Sequence, residues 1–279
     1  MTLNVSVKTE DLELELFLDA IRRRYHYDFR GYSRASLKRR LQLACERMGC
    51  ATLSALQERV LHEAAILPQV LDYLTVQVSD MFRDPAYFRA LREQIIPHLR
   101  TYPSLKVWVA GCSTGEELYS LAILFREEGL ESRTIFYATD INAGALAKAE
   151  AGVYDLQRIA LFTNNHRLSG GRRSLSDYYN AAYGAARIDK TLRRRTVFSD
   201  HSLVSDSVFA EVQLISCRNV LIYFDRPLQD RAIGLFQEAL VRKGFLGIGN
   251  RESLRFNAHV NAFSEFLPVE RIYQKRGDA

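Results

Sequence analysis

The feature that most constrains the fold is an apolar run that ends in a glycine-bounded turn and leads into a helical pattern. Val107–Ala110 precedes the turn Gly111–Gly115, and the helical pattern continues to Arg126. A strand, a tight turn and a helix in this order are typical of a parallel α/β sheet. The same alternation is predicted again for the strands Ile135–Thr139, Val212–Cys217 and Phe245–Ile248, and for helices over Ala143–Ala151 and after Pro227. We therefore expect an α/β domain with its site at the carboxyl ends of the strands.

The chain before this domain follows a different pattern, in which apolar residues recur three to four positions apart. Gly49 is suited to end the second of these helical segments, and a shorter helix is predicted over Leu53–Glu63. We expect an all-α bundle over residues 1–76, followed by the α/β domain over residues 77–279.

Between Tyr154 and Thr196 the alternation lapses into a polar stretch rich in tyrosine and arginine. Gly170-Gly171 and Tyr183-Gly184 favour turns within it. We expect an insertion over residues 155–195 that forms a small antiparallel β unit. Its aromatic and basic residues are consistent with binding of a peptide edge or RNA, and equally with packing on the parent domain.

Basic charge is concentrated near the start of the chain. The whole sequence of 279 residues carries a formal charge of +5, whereas the stretch Ala20–Val60 holds ten basic and three acidic residues, a net +7. A solvated helix face and a docking surface for an acidic partner explain this stretch about equally well.

Several classes of protein are disfavoured by what the sequence lacks. No stretch approaches the roughly 20 apolar residues of a membrane span, and five acidic residues among the first twenty disfavour a secretory signal. We expect a cytoplasmic protein with no direct membrane insertion. The cysteines and histidines show neither CxxC nor HExxH spacing, so we expect buried thiols and no metal site.

The chemistry of the first turn points away from phosphate. Gly111–Gly115 matches neither GxGxxG nor GK[ST], which disfavours nucleotide diphosphates. Glu116 and Glu117 follow at the predicted start of the helix, where they suit a cationic ligand or simply favour the helix dipole. Asp140 closes the second strand, where a carboxylate can accept both hydroxyls of a ribose. An adenosine that carries a positive group, such as S-adenosylmethionine, fits this combination.

Five motifs in order extend the argument to a family. They are MFRD at Met81–Asp84, AGCSTGEELYS at Ala110–Ser120, ATDI at Ala138–Ile141, CRNVLIYF at Cys217–Phe224 and GIGNRESL at Gly247–Leu254. Together they closely resemble the CheR-type chemotaxis receptor methyltransferases, which use S-adenosylmethionine to methylate glutamate side chains of methyl-accepting chemotaxis proteins. The resemblance covers essentially the whole chain. It implies a Rossmann-like methyltransferase domain with a small antiparallel β insertion, preceded by an all-α N-terminal bundle.

The resemblance also implies a set of cofactor-binding residues. They are Gln77, Ser79, Arg83, Gly111, Glu116, Glu117, Asp140, Ser202, Leu203, Arg218 and Asn219. By analogy, Glu116 or Glu117 binds the methionine amino group, Asp140 binds the ribose, and Ser202-Leu203 lies near the adenine.

This sequence departs from the family pattern at four positions, one of which is Ser202, where the family usually has Asn. Gln77 and Ser79 replace the usual Asn and Thr, and Asn250 stands where His is common.

Methyl transfer to a glutamate needs no strong base, because that carboxylate is already ionised at neutral pH. Placement and desolvation then supply the catalysis. The resemblance implies that Arg83 and Tyr223 are the catalytic residues that orient the accepting carboxylate.

For partners, the resemblance implies the acidic cytoplasmic helical bundle of chemoreceptors, a monomeric enzyme and no nucleic acid. The basic residues expected to dock the bundle are Arg34, Lys38, Arg39, Arg40 and Arg47. The insertion resembles the β subdomain with which some members hold a receptor's C-terminal pentapeptide.

Two other functions stay open: a catalytically silent, cofactor-binding regulatory module, and an RNA methyltransferase. The second lacks an NPPY-type motif.

Overall fold

The structure is a computed structural model that describes residues 8–277, and it contains two compact units. Of the described residues, the first unit comprises residues 8–76 together with Tyr223–Leu228. The second comprises Gln77–Ile222 and residues 229–277.

The first unit is a helical bundle. Its helices are α1 (Thr9–Tyr25), α2 (Arg34–Met48), α3 (Leu53–His62) and α4 (Ile66–Leu74). Gly49 ends α2 in the left-handed conformation with φ of 67°, as its position in the sequence predicts. The segment 223–228 joins this unit through backbone hydrogen bonds, because Ser33 N donates to the carbonyl of Tyr223 at 2.8 Å and Asp225 N to that of Gly31 at 2.7 Å.

Arg40 was expected on the docking face, and that expectation is wrong. Only 8% of Arg40 is exposed. Its guanidinium donates to the carbonyl of Leu74 at 2.5 Å and to Ser36 Oγ at 2.7 Å, and it lies 4.5 Å above the ring centroid of Tyr223. Arg40 thus satisfies a carbonyl at the C-terminus of α4, where helices leave such groups without intrahelical partners.

The other basic residues of α2 have two different environments. Arg34 pairs with Glu15 at 2.7 Å and Lys38 with Asp11 at 2.5 Å, so α1 neutralises part of the charge. Arg39 and Arg47 are exposed.

The second unit is an α/β domain. Its helices are α5 (Pro85–Ala90), α6 (Ile96–Leu99), α7 (Glu116–Glu127), α8 (Ala143–Ala151), α9 (Ile159–Leu168) and α10 (Arg226–Ala239). The first residues of α10 belong to the first unit. A π-helical turn, Leu91–Ile95, separates α5 from α6. Its strands are β1 (Leu105–Ala110), β2 (Thr134–Asp140), β3 (Val153–Asp155), β4 (Tyr179–Ala182), β5 (Ala185–Ile188), β6 (Thr196–Asp200), β7 (Val212–Cys217), β8 (Leu240–Ile248), β9 (Phe263–Leu267) and β10 (Ile272–Lys275).

Seven of these strands form one mixed sheet in the order β6-β2-β1-β7-β8-β10-β9. The pairs from β6 to β8 are parallel, whereas β10 runs antiparallel to both of its neighbours. The four strands predicted from apolar runs are present, and β6, β9 and β10 were not foreseen. The fold class implied by the resemblance is confirmed, since a helical bundle and a Rossmann-like domain are both present.

The insertion contains the expected antiparallel sheet, in the order β3-β5-β4. Tyr183 and Gly184 form its hairpin turn with φ of 51° and 76°, which suits the twist of a two-residue loop. It also contains α9, which the sequence pattern did not predict. The insertion therefore combines a helix with a small sheet.

A buried ionic cluster fixes the end of α7. Arg92 donates to Glu127 Oε2 and to Glu128 Oε1, both at 2.7 Å, and His166 Nε2 lies 3.1 Å from Glu127 Oε1. Burial raises the pKa of Glu127, but His166 and Arg92 outweigh burial and bring the pKa down to about 2.

Within the part of the chain described, no helix is long and apolar enough to cross a bilayer.

Candidate functional site

Most of the predicted site residues lie in the second unit, where the parallel strands end. The turn Gly111–Gly115 follows β1, Asp140 ends β2, Ser202 follows β6, and Arg218 follows β7. Because parallel strands present their carboxyl ends at one edge, four separate chain segments converge there.

The turn after β1 is tied to Asp140. Ser113 N donates to Asp140 Oδ2 at 2.8 Å, and Asn142 N donates to Oδ1 at 3.0 Å. Ser113 Oγ donates to Gln77 Oε1 at 2.7 Å, so Gln77 joins the same group. Burial raises the pKa of Asp140, although the backbone N–H groups oppose that rise. The carboxylate is thus held in one orientation at the edge of the sheet.

Gly111 is required by packing. Its φ is +71°, and a Cβ atom there would lie 2.5 Å from Val220 Cγ2. The glycine therefore lets the turn after β1 approach the loop after β7, which brings two site segments together.

The two acids at the start of α7 have different surroundings. Glu116, whose side chain is 1% exposed, pairs with Arg158 at 2.9 Å and accepts from Thr114 Oγ1 at 2.7 Å. Glu117 is 15% exposed, accepts from Ser216 Oγ at 2.6 Å and lies 3.4 Å from Arg218 Nη1. Glu117 is the more accessible carboxylate of the two.

Arg218 connects the loop after β7 to the MFRD segment. Its Nη2 donates to Asp84 Oδ2 at 2.7 Å and to the carbonyl of Arg83 at 3.0 Å. Phe82 and Asp84 both adopt positive φ, at 52° and 58°, a conformation that costs about 1–3 kcal/mol per residue. The contact with Arg218 and a bond from Phe82 N to Ser120 Oγ at 2.7 Å hold this conformation.

Glu252 fixes the loops after β7 and β8. Its carboxylate accepts from Gly249 N at 2.6 Å, from Asn219 N at 3.1 Å and from Ile222 N at 3.1 Å. Burial raises the pKa of Glu252, against the effect of these backbone donors. Asn250, the position that departs from the family, has its Nδ2 3.4 Å from Asp84 Oδ1.

The segment after β6 completes the edge. Ser202 Oγ accepts from Val204 N at 3.2 Å, and Leu203 is buried. His201 N donates to the carbonyl of Asp140 at 3.4 Å, and the His201 ring stands edge-on to Trp108 with 5.2 Å between centroids.

The two residues predicted to be catalytic each have a partner close by. Arg83 Nη1 donates to the carbonyl of Val78 at 3.2 Å, within its own segment. Tyr223 belongs to the first unit, where it packs under Arg40. The catalytic roles implied for Arg83 and Tyr223 stay predictions.

Three residues of this edge were not singled out from the sequence: Arg158, His201 and Glu252. Glu252 lies inside the recognised GIGNRESL motif, so the motif was a usable signal. Arg158 lies in the insertion and His201 in an irregular segment, where no pattern distinguishes them.

The edge fits S-adenosylmethionine better than a phosphorylated cofactor. Acids occupy the first turn of α7, where a phosphate would need backbone N–H groups and no negative charge. Two buried nitrogen atoms of this edge, Arg218 Nε and His201 Nδ1, have no hydrogen-bond partner within residues 8–277, and the same holds for Arg22 Nε and Arg92 Nε elsewhere in that range.

Thiol chemistry finds little support at this edge. Burial raises the pKa of Cys112 and of Cys217 well above the usual thiol range, which makes both poor nucleophiles. Over residues 8–277, no three His, Cys, Asp or Glu side chains are arranged to hold a metal ion.

Comparisons with known proteins match both units. The model of the CheR methyltransferase SAM-binding domain matches residues 77–267, and that of the CheR all-alpha domain matches residues 12–75. Cher3 of Pseudomonas putida, which carries the name of a methyltransferase, is 54% identical over 97% of this chain and 99% of its own. A chemotaxis protein methyltransferase of Listeria monocytogenes is 29% identical over 88% of this chain and 92% of its own. Chemotaxis protein methyltransferase 2 of Pseudomonas aeruginosa is 31% identical over 67% of each chain.

Proposed function

Because the chain belongs to the CheR family of S-adenosylmethionine-dependent methyltransferases, we propose that it methylates glutamate side chains of chemoreceptors. The product would be a glutamate methyl ester, and the role would be adaptation in a chemosensory pathway.

The observation that carries the cofactor side of this proposal is the fixed, buried carboxylate of Asp140. Ser113 N and Asn142 N orient it at the end of β2, where a ribose can be bound through its hydroxyls. Of the two acids in α7, we assign Glu117 to the methionine amino group, because its side chain is 15% exposed, whereas that of Glu116 is 1% exposed and pairs with Arg158.

The bound cofactor supplies an electrophilic methyl group. The protein must position an ionised glutamate and exclude water, since no proton has to be removed from that nucleophile. Arg218 sits between Glu117 and Asp84, so its charge is balanced before any substrate arrives. We propose that Arg83, half-buried in the strained MFRD segment, contacts the accepting carboxylate.

On the partner side, the exposed charge of α2 supports binding of an acidic receptor bundle. Arg39 and Arg47 are exposed on α2, whereas Arg34 and Lys38 are paired with α1. We propose that Arg39 and Arg47 steer the receptor toward the enzyme.

The decisive experiment offers the protein methyl-labelled S-adenosylmethionine and the cytoplasmic fragment of a chemoreceptor from the same source. We expect base-labile label on receptor glutamates, and loss of most of that label for Asp140→Asn. Asp177→Asn is the matched control, because it makes the same change at an exposed carboxyl outside the site.

Two outcomes would contradict the proposal. Normal binding of S-adenosylhomocysteine without label on any receptor fragment would favour a regulatory module. Label on RNA, with a steep dependence of RNA affinity on salt, would favour an RNA methyltransferase.

A further inference from the structure

The segment 77–84 has no regular secondary structure to hold it in place. It carries Gln77, Ser79 and Arg83, yet its backbone forms neither helix nor strand. Its position must therefore come from contacts with neighbouring elements.

Many of those contacts come from the first half of the insertion. Asn165 Nδ2 donates to the carbonyl of Met81 at 3.1 Å, and the ring of His166 lies 4.8 Å from the ring of Phe82. Both residues belong to α9, the helix that the sequence did not predict.

Arg158, just before α9, bridges two cofactor segments at once. Its guanidinium donates to the carbonyl of Ser79, to Asp80 Oδ1 at 3.1 Å and to Glu116 Oε1 at 2.9 Å. It also lies 4.8 Å above the ring centroid of Phe162 in α9, which restricts its orientation. One side chain of the insertion thus joins segment 77–84 to the first residue of α7.

This bridge depends on the shape of arginine. A planar guanidinium donates in several fixed directions, whereas a lysine ammonium is a compact charge on a flexible stem. Lysine at position 158 would keep the charge opposite Glu116 but could not serve all three acceptors in the same geometry.

We propose that residues 156–168 form a clamp that sets cofactor affinity by holding segment 77–84 against α7, with Arg158 as its central positioning residue. The insertion would then serve the cofactor site in addition to any role toward receptors. The inference rests on the cofactor residues assigned under the proposed function.

The test is calorimetric titration of S-adenosylhomocysteine into the full chain. We expect Arg158→Lys to weaken binding about tenfold, the size expected for lost charged hydrogen bonds, and Arg158→Ala to weaken it further. Arg187→Lys is the matched control, since it makes the same change on an exposed residue of the insertion outside residues 156–168 and should bind like the wild type.

Hydrogen exchange separates positioning from general stability. Segment 77–84 should exchange faster in Arg158→Lys, while the thermal midpoint stays close to that of the wild type. Wild-type affinity in Arg158→Lys, or weaker binding that only follows a lowered midpoint, would overturn the proposal.

Asn165→Ala covers the case in which the Arg158 variants do not fold, because it removes one hydrogen bond from a half-buried residue. It should weaken binding roughly threefold, and wild-type affinity there would also count against the clamp. These binding experiments need no receptor. If the variants change cofactor affinity as expected but no receptor is methylated, the proposed function is refuted and the clamp is not.

Discussion

Replacing Arg40 by Met should destabilise the first unit, whereas the same change at Arg39 should not. Both residues lie on α2 within the basic stretch, and charge alone does not distinguish them. Arg40 is buried, bonded to the carbonyl of Leu74 and stacked on Tyr223, while Arg39 is exposed. Methionine keeps the apolar part of the side chain and removes the guanidinium.

The expected loss follows from those contacts. A hydrogen bond from a charged donor contributes about 1.5–3 kcal/mol, and a cation–π contact that is partly desolvated adds about 1 kcal/mol. We therefore expect Arg40→Met to lower the free energy of unfolding of this unit by about 3 kcal/mol. For Arg39→Met the change should stay within about 0.5 kcal/mol, as is usual for exposed sites.

The assay can follow the two units separately. Trp108, the single tryptophan of the chain, lies in β1 of the second unit, so its fluorescence follows that unit. Circular dichroism at the helical band also follows the helices of the first unit. We expect the helical transition of Arg40→Met to move down by on the order of 10–20 °C, with a smaller change in fluorescence. Equal stabilities for the Arg40 and Arg39 variants would refute the structural role of Arg40.

Three further predictions concern pH and charge. Burial raises the pKa of Asp140, and ribose binding uses the ionised carboxylate. The affinity for S-adenosylhomocysteine should therefore fall on acidification, and at a higher pH than the pKa of an ordinary aspartate would give. In calorimetry, Asp140→Asn should bind weakly and should not show this pH dependence. Reversing Arg39 and Arg47 to Glu should slow receptor methylation at low salt and leave cofactor affinity unchanged, and equal initial rates would contradict the docking role. The pKa of Glu127 is lowered to about 2 because its histidine and arginine partners outweigh burial. Ionised Glu127 therefore stabilises the folded protein fully above the usual carboxyl range, and this contribution is lost as the pH falls toward 2. Urea unfolding followed by the fluorescence of Trp108 should show this loss of stability in acid for the wild type, and a smaller loss for Glu127→Gln.

The elements with strong local signals could be predicted from the sequence. The helix Ala143–Ala151 was predicted with its observed bounds, and the end of α2 at Gly49 follows from the left-handed conformation that glycine adopts there. β6 and α9 were missed because each lacks a clear apolar period and is defined by what it packs against. Tertiary contacts, which a single sequence does not display, decided those elements.

The same distinction holds for the site. Asp140 and the acids of α7 could be placed because strand ends and helix starts fix their neighbourhood. Sequence left Glu116 and Glu117 equivalent, because the partners that distinguish them, Arg158 for Glu116 and Ser216 for Glu117, come from distant parts of the chain. Arg40 was misplaced because helical spacing gives the face of a residue but not which neighbouring helix covers it.

The position of β10 has a consequence for biosynthesis. β10 is the last strand along the described chain, yet it lies inside the sheet, between β8 and β9. While the polypeptide is emerging from the ribosome, β8 and β9 therefore have no partner on the sides that face β10, and these open edges can pair wrongly with other chains. The order of synthesis and the order of sheet assembly differ, so complete docking of this half of the domain must wait until residue 275 has left the exit tunnel. Folding during translation should give a protected core around β1, β2 and β7 first, with closure of the β8 edge as a late step.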